Sequence, residues 1–323
     1  MEENNDNFSS HLYVDKIQEM REKISSVISG QEKVSDLILT AILADGHILI
    51  EGVPGVAKTL TARLVSKLIS ADFSRMQFTS DLMPSDVLGT NVFNMSTNTF
   101  DFHKGPAFGD IVLVDEINRA PAKTQSALFE VMEERQTTID GQCYSMGDVY
   151  TIIATQNPIE QEGTYRLPEA QLDRFLFKIN MGYPNLEDEI KVLQAHDKTK
   201  KFTKLNEIEP IISKSELLEL REKSHRIFID EKMIRYIAQI IQETRCNKSI
   251  YLGASPRASI ALMETSKAYA LIQGRLFVIP DDIKFLAYSV LCHRIILTAE
   301  AEMEGITIEN VVGNIIEKVE VPK

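Results

Sequence analysis

The stretch GVPGVAKT, residues 52–59, decides how the rest of this chain is interpreted. It comes directly after a short apolar run, HILIE (47–51), which predicts a buried strand. It leads directly into TLTARLVSKLIS (59–70), whose leucines recur at helical spacing. A loop that leaves a strand and opens a helix presents free backbone N–H groups, and these groups bind anions. The context of the stretch is therefore typical of a loop that holds phosphates.

One position departs from the usual phosphate-loop pattern, GxxxxGK(S/T), because Ala57 stands where glycine is usual. This position lies where the helix begins, and alanine fits there if its φ is negative. Gly52 and Gly55 still leave room for the backbone to curl around phosphates. The pattern predicts that Lys58 reaches the β- and γ-phosphates and that Thr59 holds Mg²⁺. The alternative for this stretch alone is a glycine turn followed by an exposed lysine.

A second run, IVLVDEINRAP (111–121), places two adjacent carboxylates, Asp115 and Glu116, after four apolar residues. A buried parallel strand delivers its last residues to the carboxyl edge of the sheet, where α/β proteins bind ligands. At that edge Asp115 can hold Mg²⁺ by way of water, and Glu116 can orient and deprotonate an attacking water. The alternative is a strand end that carries two solvated acids.

A third run, IIATQNPIE (152–160), is a strand that ends in polar residues. The amide of Asn157 at the same edge can hydrogen-bond a γ-phosphate or the attacking water. A strand-terminal Asn-Pro turn explains the residues equally well, so this run by itself leaves both interpretations open.

Strand-like and helix-like runs alternate through the first part of the chain. Further strands are predicted at 75–79 and 175–181, a helix at 122–135, and a hairpin around the Asp-Gly pair at 140–141. This alternation indicates a mostly parallel sheet flanked by helices, which is an α/β fold.

After about Pro184 the strand signals stop, and the remainder carries leucine, isoleucine and alanine at helical spacing. The expected organisation is a disordered tail over 1–10, an α/β nucleotide-binding core over 11–190 and an all-α domain over 191–323.

The composition favours a cytoplasmic protein that does not bind nucleic acid or enter membranes. The formal net charge of the 323 residues is −12, which opposes non-specific binding to nucleic acid. No apolar run reaches the ~18 residues that a membrane span needs. The N-terminal MEENNDNFSS lacks the basic and apolar stretches of a secretory signal. Three cysteines, far apart in sequence, argue against a disulfide framework.

Together, the strings GVPGVAKT, LVDEINRAP, ATQNPIEQEGTYRLPEAQLDRFLF and GASPRA resemble the MoxR family of AAA+ ATPases. The resemblance runs over nearly the whole chain, and its central string is far more specific than a phosphate loop. Alanine at position 57 is frequent in that family. The resemblance implies an AAA+ P-loop NTPase core, with a helix-2 insert over 91–106 and a pre-sensor-1 hairpin over 136–146. A helical lid domain is expected to follow.

The resemblance also implies roles for residues in the matching motifs. Lys58 and Thr59 would be the phosphate-loop (Walker A) residues. Asp115 and Glu116 would be the Walker B pair, and Asn157 would be the sensor-1 residue. Both Thr59 and Asp115 would serve Mg²⁺.

Two arginines carry the remaining catalytic roles that the resemblance implies. Arg174, in LDRF, would be the arginine finger that reaches a neighbouring subunit's nucleotide. Its alternative is an intramolecular ion pair with Glu169 or Asp173. Arg257, in GASPRA, would be the sensor-2 arginine, acting in its own subunit or in a neighbour, and its alternative is a helix-surface arginine.

Further nucleotide contacts follow from the same resemblance. Ile28 and Gly30 would help line the adenine pocket. The other expected contacts lie along the phosphate loop and the start of its helix, at Val53, Pro54, Gly55, Val56, Ala57 and Leu60. His293 and Arg294 also resemble a family string, and we interpret them as lid packing or an interface without a chemical role.

The function implied is Mg²⁺-dependent ATP hydrolysis by a homo-oligomeric ring, expected to be a hexamer, that remodels or activates client proteins. The family is associated with partners that carry a von Willebrand factor A domain and with maturation of metalloenzymes. One alternative is a nucleotide-gated scaffold with slow hydrolysis, against which the presence of Glu116 and Arg174 counts. The other is a nucleic-acid motor, which is disfavoured because the two hairpins carry too few basic residues.

Overall fold

The structure is a computed structural model that describes residues 3–28, 30–52, 58–157, 164–183, 185–199 and 208–322. Its strands are β1 Ile48–Gly52, β2 Phe73–Gln77, β3 Gly89–Asn94, β4 Thr99–Lys104, β5 Ile111–Asp115, β6 Gln136–Ile139, β7 Gln142–Ser145, β8 Thr151–Gln156, β9 Phe177–Met181, β10 Ile250–Leu252 and β11 Ile296–Leu297. Its helices are α1 Glu3–Val27, α2 Glu32–Leu43, α3 Lys58–Leu68, α4 Pro84–Leu88, α5 Ala122–Glu134, α6 Glu169–Leu172, α7 Leu186–Thr199, α8 Lys214–His225, α9 Glu231–Cys246, α10 Pro256–Ile272, α11 Pro280–Leu291, α12 Ala299–Met303 and α13 Ile308–Lys318.

A five-stranded parallel sheet in the order β2-β5-β8-β1-β9 forms the centre of the molecule. These are the five strands that the sequence predicts. Every residue of β5 is buried, because helices cover both faces of the sheet. The pairing register aligns the carboxyl ends of β1, β5 and β8 at one edge. That edge therefore receives the polar residues that end each strand.

Apolar side chains form two clusters, one on each face of the sheet. Along β1, Ile48 and Ile50 belong to one cluster and Leu49 to the other, as the two-residue period of a strand requires. The first cluster continues into the C-terminal helices, where α10 packs against α2. The C-terminal helices are therefore tied to the sheet through a shared apolar core.

Two hairpins project from the α/β part. One is the pair β3–β4, where the helix-2 insert is expected, and the other is β6–β7, which turns at Asp140 and Gly141. Both turn residues have positive φ, 51° and 81°, as a tight hairpin turn requires. The ring of Phe102 stacks on Tyr144 with 4.1 Å between centroids, so the two hairpins contact each other.

Two details differ from the sequence-based expectation. Helix α1 begins at Glu3, whereas the sequence predicts a disordered tail over 1–10; this helix contains no glycine or proline that would stop it. The C-terminal region is helical apart from β10 and β11, which pair antiparallel. Strands of two or three residues are too short to produce a periodic signal. The domain boundary near residue 190 stays a prediction.

Candidate active site

The carboxyl edge of the sheet collects the residues of three sequence motifs. Lys58 begins α3 after β1, Asp115 ends β5, and Asn157 follows β8. Val53, Pro54, Gly55, Val56 and Ala57, which the sequence assigns to the phosphate loop, lie outside the described residues. Their contacts therefore stay predictions, whereas the lysine and the carboxylates that flank the loop can be described.

Lys58 is half-buried, and its Nζ donates a hydrogen bond to the carbonyl oxygen of Gly52 at 2.5 Å. Burial lowers the pKa of Lys58, while the nearby carboxylates of Asp115, Glu116 and Glu51 act in the opposite direction. An ammonium group held among these residues at the start of a helix suits an anionic ligand such as a triphosphate.

Asp115 is buried, and each of its carboxylate oxygens has a hydrogen-bond donor. Oδ2 accepts from Arg75 Nε at 2.7 Å, and Oδ1 accepts from Thr155 Oγ1 at 3.2 Å. Arg75 lies on β2 and was not predicted as a site residue, because its contact with Asp115 depends on which strands are neighbours in the sheet. The guanidinium now holds a carboxylate that the sequence assigns to Mg²⁺.

Glu116 adopts the left-handed conformation, with φ 57° and ψ 51°. Non-glycine residues in this region cluster at functional sites, where surrounding contacts hold them. Here the backbone N–H of Glu116 donates to Thr155 Oγ1 at 3.1 Å, and its Oε2 accepts from Arg119 Nε at 3.0 Å. Arg119, three residues after Glu116 in the same motif, was also not predicted from the sequence.

Two further residues predicted for the site, Asn157 and Thr59, also lie at this edge. Asn157 is buried beside the end of β8, and Thr59 is half-buried at the start of α3. Within the described ranges, three or more His, Cys, Asp or Glu never gather as a metal-binding group. A magnesium ion held by Thr59 and Asp115 would therefore take its other ligands from phosphates and water, as Mg²⁺ commonly does.

The expected adenine-pocket residues precede α2. Gly30 has a φ of 76°, and a Cβ at this position would overlap the carboxylate of Asp188 in α7. Ile28 is buried in the apolar core, and the side chain of Leu60 packs against the same core. The contact of Leu60 with a nucleotide therefore stays a prediction, and its partly buried side chain also serves packing. Asp188 is a further neighbour that the sequence did not indicate.

Arg174 lies at the opposite, amino edge of the sheet. The next residues run beside the start of β1, since Leu176 N donates to His47 O at 2.8 Å. Arg174 Nη1 donates to Phe129 O at 2.8 Å and lies 3.5 Å from Glu133 Oε2. Strand β1 spans about 13 Å at ~3.3 Å a residue, which separates this arginine from Lys58.

The alternative partners considered for Arg174 are engaged elsewhere. Glu169 pairs with Arg166 at 3.3 Å, and Asp173 pairs with Arg294 at 2.6 Å. The intramolecular ion pair of Arg174 is real, but its partner is Glu133 of α5, which sequence patterns did not indicate.

Arg257, the second residue of α10, lies beside Arg174 rather than near Lys58. Its Nη2 is 3.0 Å from Glu133 Oε1, and 60 % of its side chain is exposed. A cleft of about 380 Å³ is lined by both arginines together with Arg135. The structure therefore brings the two predicted catalytic arginines together, at the edge opposite the carboxylates.

His293 and Arg294 join the C-terminal helices to this edge. His293 Nε2 and Phe175 O are 2.9 Å apart, and burial lowers the pKa of this histidine. Arg294, only 4 % exposed, binds Asp173 and donates to the carbonyl oxygens of Phe175 and Leu176. Both residues pack the C-terminal region against the α/β core, in agreement with their interpretation as lid packing.

Comparison with known families defines the class. The family described as "ATPase family associated with various cellular activities (AAA)" matches residues 47–177. The family described as "AAA lid domain" matches residues 242–315. The fold and the motif residues thus belong to an AAA ATPase core with its lid.

Individual relatives narrow this class. The chain is 48 % identical over 301 residues to the uncharacterised protein YeaC of Bacillus subtilis, covering 93 % of each. It is 40 % identical over 310 residues to chaperone MoxR1 of Mycobacterium tuberculosis, covering 93 % of this chain and 81 % of the relative. The crystal structure of a candidate ATPase from Cytophaga hutchinsonii matches with a TM-score of 0.92 and 41 % identity, covering 100 % of each chain. The chain belongs to the MoxR family of AAA+ ATPases.

Proposed function

We propose that this protein is a Mg²⁺-dependent ATPase that assembles as a ring, with six subunits, and remodels or activates client proteins. The observation that carries the proposal is the separation of the site into two halves. Lys58, Asp115 and Glu116 lie at the carboxyl edge of the sheet, whereas Arg174 and Arg257 lie at the amino edge. In this proposal a neighbouring subunit brings the second half to the first.

At the carboxyl edge, the proposed roles follow the chemistry of each side chain. Lys58 binds the phosphates, Glu116 orients and deprotonates the attacking water, and Asn157 hydrogen-bonds the γ-phosphate or that water. Thr59 and Asp115 hold Mg²⁺, which when bound neutralises charge on the phosphate oxygens. Arg75 must then release or share the Asp115 carboxylate, with which it now pairs.

At the amino edge, Arg174 acts as the arginine finger. Phosphoryl transfer spreads negative charge over the equatorial oxygens, and a planar, always-charged guanidinium stabilises that charge. We propose that Arg257 acts in the same direction, towards a neighbouring subunit. Its ion pair with Glu133, which also holds Arg174, supports this assignment.

We propose that the client is a protein, because the Mycobacterium tuberculosis relative is named a chaperone. A von Willebrand factor A domain protein, or a metalloenzyme undergoing maturation, is the client class that we propose. A cytoplasmic location and no binding of nucleic acid remain part of the proposal. None of the helices described is long and apolar enough to cross a bilayer.

The proposal is tested by measuring ATP hydrolysis per subunit against protein concentration. Specific activity should rise with concentration as neighbours complete each other's sites, and it should collapse in Arg174→Ala at every concentration. Activity that is independent of concentration and survives Arg174→Ala would contradict the shared site. Slow turnover in the wild type that stays concentration-independent would favour the nucleotide-gated scaffold instead.

A further inference from the structure

The carboxylate of Glu133 contacts both arginines of the amino edge, one with each oxygen. Oε1 lies 3.0 Å from Arg257 Nη2, and Oε2 lies 3.5 Å from Arg174 Nη1. Arg174 belongs to the α/β core, whereas Arg257 belongs to the lid helix α10. A single side chain therefore bridges the cationic group of the core and that of the lid.

The helix that carries Glu133 is a fixed reference point. One turn earlier, Phe129 is buried and offers its carbonyl oxygen to Arg174 Nη1 at 2.8 Å. The ring of Phe129 also packs edge-on against Phe175, with 5.9 Å between centroids. Arg174 is thus held at two points on α5, by a backbone oxygen and by the Glu133 carboxylate.

The lid side of the arrangement is anchored independently. Arg294 binds Asp173 at 2.6 Å, directly before the finger, and Ser255 Oγ lies 3.3 Å from the same carboxylate. Arg257 follows Ser255 by two residues. The backbones on both sides of Glu133 are therefore restrained, so the side chain of Glu133 acts on the orientation of the guanidinium groups.

The magnitudes favour an orienting role over a stabilising one. Glu133 is 37 % exposed on its side chain and its two partners are 30 % and 60 % exposed. Ion pairs at such exposed positions contribute little to folding stability. Two guanidinium groups side by side repel each other, however, and a carboxylate between them offsets that repulsion. Preorganised charge of this kind is worth more in a transition state than in folding.

We propose that Glu133 is a positioning residue that holds Arg174 and Arg257 as a pair, oriented for the triphosphate of the neighbouring subunit. The inference rests on the proposed function, because it requires a site shared between subunits. Glu133 itself touches no reacting atom. It acts by fixing the orientation of the two guanidinium groups before a neighbouring subunit docks.

The first experiment compares Glu133→Gln with Glu134→Gln, an exposed carboxylate on the next residue of the same helix. Glutamine keeps the size of Glu133, but its single oxygen can accept from one guanidinium while its NH₂ group repels the other. We expect kcat at saturating ATP and protein to fall about 10-fold or more in Glu133→Gln. The KM for ATP, the nucleotide affinity and the melting temperature should stay near wild type, and Glu134→Gln should behave as wild type throughout.

The second experiment mixes Glu133→Gln subunits with Glu116→Gln subunits, which lack the catalytic base but keep their arginines. Activity per Glu133→Gln subunit should recover, because its intact nucleotide site now meets properly held arginines. A merely structural defect would not be repaired by mixing, so absence of recovery overturns the inference. Unchanged kcat in Glu133→Gln also overturns it. If Arg174→Ala loses ATPase activity while Glu133→Gln keeps it, only the role of Glu133 is wrong and the shared site still holds. If Arg174→Ala keeps its activity, the proposed function is wrong as well.

Discussion

The two edges of the central sheet differ in how deeply they bury the charged groups of the candidate site and in how these groups are paired. At the carboxyl edge, the Asp115 carboxylate is buried and bonded at both oxygens, and Lys58 is half-buried. At the amino edge, Arg174 is half-buried and Arg257 is exposed; both line a cleft and share one carboxylate. The carboxyl edge holds its charged groups with internal partners, and we propose that it binds ATP within one subunit. The amino edge has Arg257 exposed beside Arg174, and we propose that it faces a neighbouring subunit.

The largest effect is expected at the carboxyl edge, in Glu116→Gln. Loss of the general base should lower kcat about 10²–10⁴-fold, while ATP binding remains because the amide keeps the shape of the side chain. Hydrolysis and equilibrium nucleotide binding measured on the same preparation check this. Glu130→Gln, an exposed carboxylate on α5, serves as the control. Normal turnover in Glu116→Gln would remove this residue from its catalytic role.

Substitution of two arginines of the amino edge should lower the unfolding free energy by different amounts. Arg294 is buried against Asp173, and Arg294→Met leaves that carboxylate without its partner, which should cost about 3–5 kcal/mol of unfolding free energy. Arg257→Met, at an exposed ion pair, should cost less than about 1 kcal/mol. Urea unfolding of both variants makes the comparison. Equal losses of unfolding free energy would mean that the buried ion pair of Arg294 is no more stabilising than the exposed ion pair of Arg257.

Lys58→Ala should weaken ATP binding itself by about 10–100-fold, the loss of a charge-assisted hydrogen bond to phosphate. Lys67→Ala, an exposed lysine on the same helix, should bind ATP as the wild type does. Isothermal titration with ATP distinguishes the two variants. Equal affinity in Lys58→Ala and wild type would mean that this lysine does not reach the phosphates.

The smallest effect concerns His47, which is buried where the amino edge meets β1. Its Nδ1 accepts from Ile152 N at 3.0 Å, and burial lowers its pKa to about 4. Because the folded pKa lies below the unfolded value of about 6.5, this stabilisation is present above pH 6.5 and is lost as pH falls towards 4. Unfolding free energy should drop by about 2 kcal/mol between pH 7 and pH 5.

The matched variant is His47→Asn, which keeps an acceptor for Ile152 N but does not titrate. Urea unfolding at pH 7 and at pH 5 should give a smaller difference for this variant than for wild type. The same pH dependence in both proteins would assign the effect to other groups.

The sequence predicts the carboxyl edge better than the amino edge, for a physical reason. A strand that ends in Asp115 and Glu116 is a local pattern, and parallel pairing then determines where those residues lie. The contact between Glu133 and Arg257 joins residues 124 positions apart, across two parts of the chain. Nothing in the spacing of either residue indicates it. The same holds for Arg75, whose partner Asp115 lies on the neighbouring strand.

The most direct measurement mixes two inactive variants, Glu116→Gln and Arg174→Ala. In a ring with head-to-tail contacts, about one interface in four of a random mixture joins an intact nucleotide site to an intact finger. We expect the mixture to recover roughly a quarter of wild-type activity per subunit, although neither variant is active alone. A mixture as inactive as its components would contradict a site shared between subunits.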